Sequence, residues 1–190
     1  AHAAQTAVTP APTATPSAVL MQPDASPMPT ASPSPPPTPD DRTDPGRLLI
    51  PKLKVTSEIV VIPLVNRQWD VSHILYEVGL LDGTGWPGRP GNAALSGHVS
   101  LKNRGDGPFR WLERLNPGDE VIVEQGDTQY VYRVTGRRVV LPTDVSVLAP
   151  TEDATLTLIT CTDWDFFLAD YTRRLIVSAQ LREQRSTRAR

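Results

Sequence analysis

Three kinds of side chain in this sequence can do covalent chemistry together. Cys161 is the only cysteine, and His98 is one of three histidines, with His2 and His73. Arg173 and Arg174 follow the cysteine closely. A free thiol titrates near about pH 8.5, so it is mostly protonated at neutral pH, and an adjacent imidazolium favours the thiolate. The thiolate can attack a carbonyl carbon while the imidazolium protonates the departing amine. A guanidinium, charged at every accessible pH, can hydrogen-bond the developing oxyanion. Each residue also has an ordinary explanation. A lone Cys packs as a small hydrophobe, a strand His is satisfied or exposed, and an Arg beside a loop snorkels or pairs at the surface. Spacing alone leaves the nucleophile as a weak hypothesis, and His73, in WDVSH, matches no motif and reads as structural or surface.

The same counts exclude other chemistries. One cysteine rules out an intrachain disulfide and a multi-cysteine zinc site, and three histidines starve a His/Cys metal centre of ligands. No cofactor is expected. The formal net charge of −2 argues against a general nucleic-acid binder. No run approaches the roughly 20 apolar residues of a membrane span.

The elements that must position the candidates lie in the later part of the chain. Residues 1–39 hold 11 of the 20 prolines, and Asp24 is their only Asp, Glu, Lys or Arg. Such a stretch buries too little apolar surface to offset chain entropy. Residues 1–45 therefore read as a disordered Pro/Ala/Thr/Ser-rich linker, semi-rigid around TASPSPPPTP, that holds a domain away from a surface or a neighbour. Residues 46–182 form the folded domain, and residues 183–190 a basic tail. The chain opens at Ala1 without an initiator Met, so an upstream signal or anchor is expected outside this sequence.

Within the domain, short strands alternate with Gly and Pro. Arg47–Leu53 and Glu58–Val65 read as strands with Pro51 and Pro63 at edges or bulges. Glu120–Glu124 and Thr128–Val140, separated by Gln125-Gly126-Asp127, read as a hairpin. Ala154–Cys161 and Arg174–Leu181 are the last two strands. Pro108–Leu115 is expected as a short helix with Phe109, Leu112 and Leu115 on one side, and Ile74–Leu81 as a helical turn. No long amphipathic helix alternates with the strands, so the fold class is all-β, mainly antiparallel, closed or sandwiched. Strand alternation puts Leu156, Leu158 and Thr160 on one face and Thr157, Ile159 and Cys161 on the other. In the final strand Arg174, Ile176 and Ser178 share the mixed face, whereas Arg173 shares the parity of the apolar Leu175, Val177 and Ala179. If these strands are neighbours, Cys161 and Arg174 look into one groove.

Local context sharpens this. Residues 156–161 read LTLITC, residues 91–98 read GNAALSGH, and RLIVSA begins at Arg174. In this combination and order the chain resembles the sortases, cysteine transpeptidases that join secreted proteins to cell-surface acceptors. The opening GRLLIPKLKV and the segment GPFRWLERLNPGDEV are also similar to sortase regions, and the resemblance covers about residues 46–182. It implies an eight-stranded β-barrel with one or two short helices. It further implies that Cys161 is the nucleophile, His98 the acid–base, and Arg174, rather than the neighbouring Arg173, the arginine. Thr160 falls where the family lines its oxyanion region. Trp164, Phe166 and Phe167, in the loop TDWDFFLADY, would contact the sorting peptide or the acceptor amine. The implied partners are the C-terminal sorting signal of secreted proteins (LPxTG-like, cut at the Thr–Gly bond) and a cell-wall peptide or pilin-lysine amine. The implied location is the extracellular face of the membrane. Calcium use occurs within the family, but the sequence offers no ligand set for it, and the class is not assigned. Two rivals remain: a Cys–His peptidase without transfer activity, and a non-catalytic surface β-domain on a Pro-rich stalk.

Overall fold

A computed structural model describes residues 44–101, 104–165 and 170–187. Among these, twelve strands run in chain order: β1 (Arg47–Ile50), β2 (Val55–Ile62), β3 (Leu64–Val65), β4 (Gln68–Trp69), β5 (Val78–Leu81), β6 (Gly91–Ser96), β7 (Ser100–Leu101), β8 (Gly105–Asp106), β9 (Glu120–Gln125), β10 (Thr128–Val140), β11 (Ala154–Asp165) and β12 (Asp170–Ser186). Eight of them close into a barrel in the order β1-β2-β5-β6-β11-β12-β10-β9. Closure leaves no unpaired barrel edge. Pairing is mainly antiparallel, as the sequence implies, with β2 beside β5 and β6 beside β11 as the parallel contacts.

The barrel interior is filled by one apolar cluster that includes Leu48, Leu95, Tyr132, Leu156, Leu158 and Val177. Leu156 and Leu158 are fully buried, so truncating either to Ala would cost about 2–5 kcal/mol. Phe109, Leu112 and Leu115 join this core as expected, but the helix at Pro108–Leu115 is only a turn followed by a 3-10 helix, Leu112–Arg114. The other 3-10 helices are Pro51–Leu53, Val71–His73 and Val145–Leu148.

The expected helical turn at Ile74–Leu81 is overturned. Val78–Leu81 is β5, buried at all four residues and wedged between β2 and β6. A continuous apolar run such as VGLL carries no alternation to separate strand from helix, and burial on both faces decides for strand. Several strand boundaries also move. The strand expected over Glu58–Val65 is β2, which starts at Val55 and ends at Ile62, followed by the short β3. The loop expected at Thr162–Tyr171 is partly strand, with β11 running to Asp165 and β12 starting at Asp170. The strand expected at Arg47–Leu53 ends at Ile50, where Pro51 starts a 3-10 turn. β12 continues to Ser186, four residues into the segment set apart as a tail.

A second, smaller apolar layer lies outside the barrel wall. Ile62, Ile74, Leu81 and Ala94 pack there with Val71, Leu148 and Ile159. It is built by the β2–β5 and β10–β11 connections folding over β6 and β11, and the candidate groove sits within it.

Candidate active site

The parallel register of β6 and β11 explains why His98 and Cys161 meet. Leu158 pairs with Leu95 and Ile159 with Ser96. Both chains leave this ladder at the same end, where the Gly97 N–H donates to the Ile159 carbonyl at 3.1 Å. Two residues beyond Ser96 and two beyond Ile159 come His98 and Cys161, at matching depth. On the other flank, Cys161 is the direct partner of Arg174 across β11 and β12. His98, Cys161 and Arg174 thus form one row, and all three line a single cavity of about 90 Å³ on the barrel's outer face. All three are partly exposed.

Arg173 is placed differently. It pairs with Thr162, and its Nε lies 3.6 Å from a carboxylate oxygen of Asp163 at the exposed rim. Arg174 instead borders both the small cavity and a larger one of about 260 Å³ lined by Trp69, Leu141, Val145, Leu148 and Ile176. Its Nη1 donates to its neighbour's carbonyl, that of Arg173, at 3.1 Å, which bends the guanidinium along its own strand.

Thr160 is buried, 3% exposed, with its side chain on the barrel side of β11. Its hydroxyl donates to the Gly97 carbonyl at 2.8 Å. The residue before the thiol is therefore tied to the residue before the imidazole. Gly97 is required for space: a Cβ there would sit 2.7 Å from the Phe109 ring. The Phe109 N–H in turn donates to the His98 carbonyl at 3.0 Å, so the His98 backbone is held on both sides.

Two further residues shape the groove without any motif to announce them. Asn92, 4% exposed, donates through Nδ2 to the carbonyls of Val147 and Ala149, each at 3.0 Å, and accepts from the Thr157 hydroxyl at 2.7 Å. It pins the β10–β11 connection to the barrel wall. A polar residue inside the otherwise apolar GNAAL was the available signal, since a buried amide must find partners. Asp70 caps the turn Val71–His73, its Oδ1 accepting from the Ser72 N–H at 3.0 Å. The Ser72 hydrogen bonds hold its carboxyl below the usual aspartate range.

Cys161 also borders a second cavity, of about 150 Å³, walled by Phe109, Arg110, Glu113, Thr162 and Tyr171. The thiol therefore lies between two spaces. Among the described residues, no group of three or more His, Cys, Asp or Glu side chains gathers as a metal site would need. His73 is exposed and lies 3.0 Å from Asp70. Trp164 belongs to β11, paired with Tyr171; Phe166 and Phe167 lie outside the described residues.

Known proteins give the same family throughout. A family model for the sortase domain matches residues 48–182. Sortase SrtE1 of Streptomyces coelicolor is 35% identical over 106 residues, which is 51% of this chain and 28% of that protein's length. The crystal structure of sortase E1 from Streptomyces coelicolor, with a tripeptide in its active site, superimposes with a TM-score of 0.58 at 30% identity, covering 74% of this chain and 88% of that one. The SrtA sortase from Actinomyces oris gives a TM-score of 0.62 at 29% identity, covering 74% and 81%.

Proposed function

The chain belongs to the sortase family, and on that footing we propose that it is a cell-surface cysteine transpeptidase with Cys161 as nucleophile, His98 as acid–base and Arg174 as oxyanion donor. The observation that carries this reading is the row of three side chains on one cavity, with Cys161 flanked by the other two.

In this reading the Cys161 thiolate attacks the Thr–Gly carbonyl of an LPxTG-like sorting signal. Arg174 hydrogen-bonds the oxygen as it gains charge, an interaction stronger in the transition state than in the substrate. The C–N bond then breaks, His98 gives a proton to the departing amine, and a thioacyl enzyme remains. An incoming amine, from a cell-wall peptide or a pilin lysine, loses its proton to His98 and displaces the thiolate. The larger cavity beyond Arg174 suits the apolar part of the sorting peptide, and Trp164, Phe166 and Phe167 are the aromatic residues that the sequence offers for contact with the peptide or the acceptor amine. The second cavity beside Cys161, which the acidic residue Glu113 helps to line, suits an incoming cationic amine. Residues 1–45 would act as a spacer between this domain and an anchor at the outer face of the membrane. Among the described residues no helix is long and apolar enough to cross a membrane.

The test is incubation with a quenched-fluorescent library of LPxTG-like peptides, with and without triglycine or a lysine-derived amine, followed by mass spectrometry. Ligated product that disappears in Cys161→Ala and His98→Ala, with melting temperatures retained, is the expected result. Cleavage without ligation under every amine supports a Cys–His peptidase. No turnover, together with a thiol that resists alkylation in the folded protein, supports a non-catalytic surface domain.

A further inference from the structure

The ring of His98 is held by a backbone carbonyl. Its Nε2 lies 3.1 Å from the carbonyl oxygen of Val71, a group that accepts hydrogen bonds and cannot donate them. The contact therefore requires a proton on Nε2. In the neutral ring Nδ1 is then the basic nitrogen, and in the cation Nδ1–H is the proton not committed to Val71.

Val71 reaches this place on a short turn whose geometry Asp70 fixes. Asp70 Oδ1 accepts from the Ser72 N–H at 3.0 Å and from its hydroxyl at 2.5 Å. Its Oδ2 lies 3.0 Å from His73 Nε2. The turn's outer side is exposed, while Val71 and the following Ile74 pack into the apolar layer outside the barrel and line the cavity that holds Cys161. The chain of causes runs from carboxylate to turn, from turn to carbonyl, and from carbonyl to tautomer.

We propose that the turn Asp70–His73 is a positioning element for the His98 imidazole, and that Nδ1 of His98 is the nitrogen that carries the proton during turnover. This rests on the reading of His98 as the acid–base. When the C–N bond of the tetrahedral adduct breaks, its electron pair stays on the departing nitrogen, which takes the Nδ1 proton. When the incoming amine attacks the thioacyl carbonyl, the C–S bond breaks, the thiolate leaves with the electron pair, and Nδ1 accepts the proton the amine sheds. Nε2–H stays on the Val71 carbonyl throughout.

The experiment is nitrogen-15 NMR of the histidine rings in the full chain, without substrate. The expected neutral ring shows a protonated, pyrrole-type Nε2 and a bare, pyridine-type Nδ1; the opposite tautomer overturns the proposal. Asp70→Ala is expected to mix the two tautomers and lower kcat for ligation about 10- to 100-fold, with a smaller change in peptide KM. Asp70→Asn keeps an acceptor for Ser72 and should recover most of the loss. Unchanged ring signals and kcat in Asp70→Ala overturn the role of the turn even where His98→Ala is inactive. An Nε2–H ring in a protein that makes no ligated product overturns the proton-carrying role together with the transpeptidase reading, and leaves the tautomer established.

Discussion

The Thr160 hydroxyl donates to the Gly97 carbonyl at 2.8 Å, across the end of the β6–β11 ladder. This one buried bond couples the strand that carries Cys161 to the segment that carries His98. Replacing Thr160 by Val keeps the shape and strands the Gly97 carbonyl without its donor, which costs about 1–3 kcal/mol. Thr160→Val should therefore lower the melting temperature and reduce kcat more than KM, whereas Thr160→Ser should stay close to the parent in both. Calorimetry and steady-state kinetics on the two variants check this. If the two behave alike in kcat, Thr160 does not act through its hydroxyl.

Strand parity and pairing give the two adjacent arginines different work. Arg174 faces Cys161 in register and lines its cavity, while Arg173 meets Asp163 at the rim. An exposed pair such as Arg173–Asp163 contributes about 0–1 kcal/mol, and an oxyanion donor contributes about 100- to 1000-fold in kcat. Arg174→Ala should lose at least that much turnover with the fold intact. Arg173→Ala should lose less than about fivefold, the equivalent of the upper end of a surface ion pair. Lys at 174 keeps charge but not the planar fork and should recover only part of the rate.

Much of this was legible in the sequence, because strand alternation and turn chemistry are local. The hairpin around Gly126, the face shared by Cys161 and Arg174, and the mainly antiparallel all-β class follow from period-two patterns and turn residues, whereas closure into an eight-stranded barrel was implied only by the family resemblance. Other parts depend on tertiary partners. VGLL gave no period to separate helix from strand. The Val71 carbonyl is main chain, so no residue type in WDVSH betrays that it meets His98. Thr160 could be placed beside the nucleophile, but the acceptor for its hydroxyl is the carbonyl of Gly97, just past the end of β6 and sixty-odd residues earlier. Asn92 carries its signal only once the segment around it is known to be buried on both faces.

The groove is flanked by two turns of the same make. Asp70-Val71-Ser72 and Asp144-Val145-Ser146 both bond the Ser N–H and hydroxyl to the aspartate, at 3.0 and 2.5 Å in the first and 3.1 and 2.6 Å in the second. These bonds hold both carboxyls below their ordinary values. A carboxyl with a lowered folded-state pKa adds stability that is complete above its unfolded value, about pH 4, and is lost as pH falls through the lower folded value. Both turns should therefore be intact at neutral pH and open only in acid. Amide hydrogen exchange, corrected for intrinsic rates, should show protection at Ser72 and Ser146 falling below about pH 4. Asp70→Asn and Asp144→Asn should flatten that response at their own turn only. Protection that is independent of pH in the parent would show that the caps are not the carboxylates.

The second cavity beside Cys161 carries an uneven charge. Arg110 in its wall is engaged twice over, with Asp106 at 3.3 Å and over the Trp111 ring at 4.8 Å. Glu113 has no ion-pair partner among the described residues, and it lines the same cavity. An amine acceptor arriving as a cation would meet this carboxylate before it sheds its proton and attacks. Because the site is open to water, the attraction is of surface strength, about 0.2–1 kcal/mol. Glu113→Gln should then raise the KM for a lysine-derived amine about two- to fivefold, and added salt should weaken amine binding in the parent more than in the variant. Titrating the amine at low and high ionic strength measures both effects. Equal KM values in the two proteins at low salt would show that the acceptor approaches Cys161 by another side.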